Sequence, residues 1–261
     1  MPSIRGQSIL IIGGSSGIGA AVAKLALAEG VRVSIASSNE SRVSKTVKSL
    51  ESSYPGASIK GYTFALCRPA LESGIEKLLS DVTTSSGSDG ISKDSHLLDH
   101  IIFTAATVLN KPLAEIDDKY VADMAHAGIA SLAFLAKLSP RFVKKSVTSS
   151  LIVTGGRVDE KPVPDYLVSS FVAAGLHGFV RALALDRAPD LRVNLVSPGA
   201  TDTELWDQGG NRAGMRQYVE SSALLKKAGS PEEVAEAYIY LMKDSNATGI
   251  CVRSSGGVLL Q

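Results

Sequence analysis

The sequence predicts an α/β fold, a parallel sheet with helices on both faces, and three observations carry that reading. Ile9-Leu10-Ile11-Ile12 is a continuous apolar run, too short for a helix and closed by a glycine-dense turn, which marks a strand buried on both faces. Comparable runs recur at 31–36, 58–65, 100–106, 150–154 and 191–196, separated by longer segments of helical character. The 261 residues, 44% hydrophobic and 20% charged, suffice for one large unit over 1–261 with a sizeable core.

Gly13, Gly17 and Gly19 follow the first strand, and Ala20 to Glu29 opens a helix. Strand, glycine turn and helix form the first half of a dinucleotide-binding crossover. The backbone must turn sharply there, and a Cβ would hold a pyrophosphate away from a helix N-terminus whose unpaired N–H groups and dipole favour an anion. Ser15, Ser16 and Ile18 complete the turn as candidate cofactor contacts. The plainer reading is a turn tightened for packing alone; the strand before it and the helix after it favour the nucleotide.

The second strand, Val31 to Ala36, ends where such a fold meets the adenosine ribose. Ser37, Ser38 and Asn39 stand there, with no carboxylate before Glu40. Small hydroxyl and amide donors suit a 2′-phosphate that a carboxylate would repel, and Ser16 adds a further donor, so NADP(H) is expected over NAD(H). The same residues also suit the N-cap of a helix over Glu40–Ser53, and the two roles are compatible.

A third strand is expected over Ser58–Ala65, followed by a helix over Ala70–Ser80. Thr83 to Ser95, rich in Ser, Gly and Asp, reads as a flexible loop. His100–Ala106 is the fourth strand, Val121–Val143 a long helix, and Ser150–Thr154 and Leu191–Val196 the fifth and sixth strands. His126 has no titratable partner by spacing and reads as a core or interface histidine. Cys67 and Cys251 lack metal-ligand spacing and read as free thiols in a reducing compartment, with no metal expected. Met1 to Arg5 leads straight into a strand, no apolar run reads as long enough to span a bilayer, and the net charge of +1 contains no basic block. A cytoplasmic protein without nucleic-acid or membrane partners is therefore expected.

The pattern Gly13-x-x-x-Gly17-x-Gly19, then Arg192-Val-Asn-Leu-Val-Ser-Pro-Gly199, Thr203-Glu204, Gly229-Ser-Pro-Glu-Glu-Val-Ala235, Thr248-Gly249 and Gly256-Gly257, spans the chain in order. It resembles the short-chain dehydrogenase/reductase family. The resemblance implies a Rossmann-type, doubly wound, seven-stranded parallel sheet with a cleft at the carboxyl ends of the strands. It implies that Thr104, Ala105 and Ala106 approach the cofactor closely, following Phe103 where the family shows Asn-Asn-Ala-Gly. It also implies that Pro198, Gly199, Ala200 and Thr203 pass the nicotinamide, and that Asp202 to Leu225, with Trp206, forms a mobile substrate lid. Ala65-Leu66 replaces the acidic residue that the family usually places near the adenine. A homodimer or homotetramer is expected, through the helices Val121–Val143 and Tyr166–Asp186.

The family reduces carbonyls with Ser, Tyr and Lys. Anchored on Ala182-Leu-Ala-Leu-Asp186, the resemblance places Ser169 at the Tyr position, Ala173 at the Lys position, Gly155 or Gly156 at the Ser position and Gly128 at the position of a helix-breaking Asn. The chemistry follows from that loss. Hydride addition to a carbonyl creates an alkoxide that demands a proton, whereas addition to an iminium carbon gives a neutral amine and demands none. An NADP(H) cradle without an acid suits an imine, an iminium or an activated alkene. The alternatives are a redox-silent cyclase or isomerase on the same fold and a non-catalytic NADP(H)-binding regulator.

Two residues before the last long helix remain as catalytic candidates. Tyr166 is three residues from the family's Tyr position, a rotation of about 300° on a helix. Asp165 suits a cationic substrate nitrogen, or equally an N-cap. Phe103, Tyr166, Phe171 and Trp206 are expected to line a pocket for an apolar, nitrogen-containing small molecule. The Ser-Ser-Asn run, the missing triad and Pro164-Asp165-Tyr166 resemble a fungal secondary-metabolism subgroup that includes reductase/Diels–Alderases of malbrancheamide and paraherquamide biosynthesis. That subgroup implies NADPH acting on an iminium-type precursor, an Asp at the position of Asp165 and an Arg in the long helix. Met124 to Ser131 supplies no Arg, a departure that bears on cyclisation and substrate.

Overall fold

The computed structural model describes residues 2–66, 70–84, 97–105, 110–209 and 212–260. Strand β1 (Ser8–Ile12) leads into α1 (Gly17–Ala28), β2 (Arg32–Ser37) into α2 (Glu40–Ser53), and β3 (Ile59–Thr63) into α3 (Leu71–Thr84). After β4 (His100–Phe103), α4 (Asp118–Ala125), a π turn (His126–Ala130) and α5 (Ser131–Leu138) follow one another as a continuous helix. Then come β5 (Ser150–Thr154), α6 (Leu167–Arg187), β6 (Arg192–Pro198), α7 (Arg212–Ser222), α8 (Pro231–Lys243) and β7 (Cys251–Ser254). The seven strands form one sheet in the order β3-β2-β1-β4-β5-β6-β7, and every pairing is parallel.

Period-two alternation within β1 sorts its side chains into two cores. Ile9 and Ile11 join α1, α2 and α8 on one face, while Leu10 and Ile12 join α3, α5 and α6 on the other. Burial on both faces explains why these strands read as unbroken apolar runs rather than alternating ones. The chain reverses direction across the sheet between β1 and β4, both of which end at the glycine turn. That switch point is where open α/β sheets take their ligands.

The expected elements are present, with α2 and β5 at their expected bounds. The long helix differs. Its π turn holds Gly128, where an added Cβ would lie 2.4 Å from Val172 Cγ1 of α6, so the glycine lets the two helices close up. The expectation about membrane length needs correction as well. Asp118–Arg141 and Leu167–Arg187 are both long and apolar enough to cross a bilayer by length and composition. Part of that apolarity is used against the sheet and part is exposed, at Val121, Ile129, Leu167, Phe171 and Leu185. Cys67, Ala106 and most of the Thr83–Ser95 loop lie outside the described residues. Cys251 is a half-buried free thiol whose pKa burial pushes up to about 11, which makes it a poor nucleophile.

Candidate functional site

The glycine turn is tied to both neighbouring strands. Gly13 N donates to Ala36 O at 2.8 Å, and Thr104 N donates to Ile12 O at 2.8 Å. An added Cβ at Gly13 would fall 2.6 Å from Ala105 N, and one at Gly19 would fall 2.3 Å from Gly13 O. The packing reading therefore holds for these two positions, since only glycine lets the start of α1 lie this close to β1 and β4. Thr46 of α2 steadies the turn by donating its hydroxyl to Ser15 O at 2.9 Å.

The N-terminus of α1 has no local cap. Ser16 stands at the N-cap in extended backbone but makes no side-chain capping bond, and the first turn carries no acidic residue. What meets it instead is Glu204, whose Oε2 accepts Gly17 N at 3.1 Å from 187 residues along the chain. A carboxylate thus stands where the crossover would bring a pyrophosphate, a stand-in anion that fits this N-terminus to a dinucleotide independently of the packing glycines.

At the end of β2, Ser37 is half-buried, and Ser38 and Asn39 are exposed. Asn39 Oδ1 accepts Arg42 N at 2.8 Å and so caps α2, the alternative role foreseen for it, which leaves its amide N–H groups free of that bond. Arg42, in the first turn of α2, is a residue that sequence reasoning missed. It is an exposed guanidinium beside the Ser-Ser-Asn run, and its position three residues beyond Asn39 was the available signal. At the opposite end, β6 delivers Pro198 and Gly199. Gly199 N donates to Ser254 O at 2.8 Å, and its missing Cβ would lie 2.7 Å from Ser255 Cα. Thr203 reaches across to Gly17, its Cγ2 being 3.1 Å from where a Cβ there would stand. The structure thus brings Gly13, Gly17, Gly19, Thr104, Ala105 and Thr203 together at one switch point.

The catalytic side is assembled differently. Gly155 and Gly156 follow β5, and α6 contains neither Tyr nor Lys from Leu167 to Arg187. Tyr166 is half-buried at the N-cap of α6 and makes no side-chain capping bond. Asp165 is exposed and takes φ +67°, a left-handed conformation that Asp tolerates better than most residues. It does not cap α6, so the capping alternative for it is set aside. Ser169 Oγ lies 3.4 Å from Asn110 Oδ1.

Two expected pocket walls stand elsewhere. Phe103 is 4% exposed and packed in the core beneath the sheet's end, because it shares the strand face of Ile101. Phe171 is 70% exposed on the outer side of α6, away from the buried row Ala173, Leu176, Val180 and Ala184. Trp206 is half-buried in the turn Glu204–Gly209. A cavity of about 140 Å³ opens instead beside the ends of β6 and β7, lined by Arg157, Gly199, Ala200, Ala223, Ser254 and Val258 among others.

Sequence reasoning also missed a buried pair next to this cavity. Asp159, in the turn after β5, has a fully buried carboxylate whose Oδ2 lies 2.7 Å from His177 Nε2 and 3.1 Å from Ser197 Oγ. Asp159, Glu160 and His177 gather potential metal donors within 4.8 Å of one another. His177 is bonded to Asp159 and Glu160 to Arg253, while Asp159 Oδ1 is buried with no hydrogen-bond partner among the described residues. His126 lies in the π turn, and its Nε2 is buried without a partner among the described residues.

A family model described as an SDR-like Rossmann domain matches residues 3–261. The chain is 44% identical to the short-chain dehydrogenase/reductase ATR9 of Stachybotrys chlorohalonatus, with 100% of both chains covered. It is 32% identical to the short-chain dehydrogenase/reductase malC of Malbranchea aurantiaca, covering 99% of this chain and 96% of that one. Among solved structures, the MalC reductase/Diels-Alderase of Malbranchea aurantiaca superposes with a TM-score of 0.89 at 33% identity over 98% of this chain and 97% of that one.

Proposed function

The chain belongs to the short-chain dehydrogenase/reductase family, and from that premise we propose that it is an NADP(H)-dependent reductase that delivers hydride to an iminium, or to an imine or activated alkene that takes its proton from solvent. The observation that carries this reading is the pairing of a nucleotide turn whose helix N-terminus takes a carboxylate with a helix α6 lacking both Tyr and Lys. The family binds nicotinamide dinucleotides. Ser37, Ser38, Asn39 and Arg42 favour the 2′-phosphorylated form, because hydroxyl, amide and guanidinium donors suit a dianion.

When bound, NADPH supplies a hydride. Pro198, Gly199 and Thr203 would hold the nicotinamide end of the cofactor, beside the glycine turn that Thr203 touches. Substrate enters beside the cavity at Arg157, Ala200 and Val258. An iminium carbon that accepts hydride becomes a neutral amine with no further proton, so Ser169 and Ala173 cost this reaction nothing. Asp165, exposed at the entry to α6, holds the cationic nitrogen by charge. The likeness to the MalC reductase/Diels-Alderase favours a coupled cyclisation as a second outcome of the same turnover. The exposed apolar residues Val121, Ile129, Leu167, Phe171 and Leu185 support a homo-oligomer through these two long helices.

Two measurements test this reading. Fluorescence titration is expected to give NADPH at least about tenfold tighter than NADH, since a charge-assisted contact contributes on the order of 1.5–3 kcal/mol. Equal binding would refute the assignment of Ser37–Arg42. Single-turnover assays with a cyclic iminium and its matched ketone are expected to consume NADPH only with the iminium. Preferential ketone reduction would overturn the mechanism.

A further inference from the structure

We infer that Glu204 is a latch that holds the turn Glu204–Gly209 on the nucleotide turn and must be displaced by the dinucleotide's diphosphate. This inference rests on the NADP(H) reading above and adds a competitor for the diphosphate to it. The N-terminus of α1 lacks both a side-chain cap from Ser16 and an acid in its first turn, so its unpaired N–H groups are served from outside. The Glu204 carboxylate, at 3.1 Å from Gly17 N, meets that need while the cofactor is away. A diphosphate seeks the same N–H groups, and two anions cannot share them.

The carboxylates on either side of Glu204 are tied to α7. Asp202 pairs with Arg212 and Arg216, and Asp207 accepts from Arg212 at 2.9 Å. These bonds fasten the turn Glu204–Gly209 to the helix that borders the cavity through Val219. Release of Glu204 from Gly17 leaves the turn held to α7 by these ion pairs. Glu204 lies two residues from Trp206, the one tryptophan of the chain, which reports the movement.

The test compares the full-length protein with Glu204→Gln and Glu204→Ala, titrated with NADP⁺ and separately with inorganic pyrophosphate, while Trp206 emission is followed. Removing a competitor worth a typical charge–dipole interaction should tighten NADP⁺ by about two- to fivefold in both variants. NADP⁺ or pyrophosphate should move wild-type emission towards that of ligand-free Glu204→Ala. Thermal melting within a few degrees of wild type would verify that both variants fold. If both bind NADP⁺ equally or more weakly than wild type, the latch is wrong while the cofactor reading stands. If no form binds NADP⁺ or pyrophosphate, the cofactor reading falls and the latch with it.

Discussion

At the amino ends of the strands, Asp99, His100 and Arg192 are each bonded to several groups of the chain, whereas at the carboxyl ends helix α1 starts without a side-chain cap of its own. At the foot, Ser8 N donates to Asp99 Oδ2 at 2.7 Å and Lys144 Nζ to Asp99 Oδ1 at 2.8 Å. Arg192 donates to the carbonyls of Val147, Thr148, Leu241, Met242 and Ala247. At the rim, an uncapped helix end borrows a distant carboxylate, and Gly156 meets nothing within 4 Å of where a Cβ would stand. The lesson lies in that contrast: Asp99 and Arg192 at the foot are bonded by groups next to them in the core, whereas the helix end at the rim depends on a side chain 187 residues away.

Substitution of Arg192 puts that contrast to its hardest test. Arg192→Met strands several buried carbonyls at once, and about 3–5 kcal/mol of stability should be lost in urea melts. NADPH affinity of the folded protein should stay within about twofold, on the order of 0.4 kcal/mol. A stable variant with weakened NADPH binding would break the comparison. Gly19→Ala makes the reverse demand, because its methyl must push Gly13 O and Thr104 aside in the nucleotide turn. Here about 1–3 kcal/mol should be lost together with dinucleotide binding. Retention of wild-type affinity would show that the turn is not the phosphate cradle.

The foot also sets a pH dependence. His100 is fully buried, and burial pulls its pKa from 6.5 down to about 3. The neutral ring sits between Gln7 Oε1, 2.7 Å from Nε2, and Ser150 Oγ, 2.8 Å from Nδ1. Below pH 6.5 the unfolded chain gains a proton that the native state refuses, so stability falls as pH drops from 6.5 towards 3. The slope from this residue is about 1.4 kcal/mol per pH unit. Denaturant melts at pH 7 and pH 5 should differ by about 2 kcal/mol more in wild type than in His100→Asn. Matching slopes would mean that another group drives the acid sensitivity.

How legible each region was in the sequence follows the same contrast. Strands buried on both faces announce themselves as apolar runs, and the turn at Gly13–Gly19 announces a crossover, so the sheet and its switch point could be read directly. Asp99, His100 and Arg192 could not be read in this way, because a polar residue at a strand's start looks like the edge of solvent. Asp159 with His177, and Glu204 with Gly17, are pairs made only by folding, with no spacing to mark them. Phe103 and Phe171 are different, since the pattern held their answer. Phe103 follows Ile101 by two residues and shares its face, and Phe171 falls two residues before the buried row beginning at Ala173, about 200° around the helix. At both positions the period, not the aromatic type, decides where the ring lies.

Gly156→Ser carries the smallest expected effect and probes the rim most directly. The residue lies in extended backbone at φ −179°, which any side chain adopts, and an added Cβ there meets nothing within 4 Å. The change should move stability by no more than about 0.5 kcal/mol, or about 2 °C in melting temperature. A serine hydroxyl restored at this position still has no Tyr or Lys on α6 to complete a proton path, so ketone reduction should not rise with it. Gly13 and Gly19 are glycines because the fold leaves them no room, whereas Gly156 has room to spare. A loss above about 1 kcal/mol on adding that hydroxyl would mean the rim is as tightly packed as the foot, and the openness attributed to the catalytic side would be wrong.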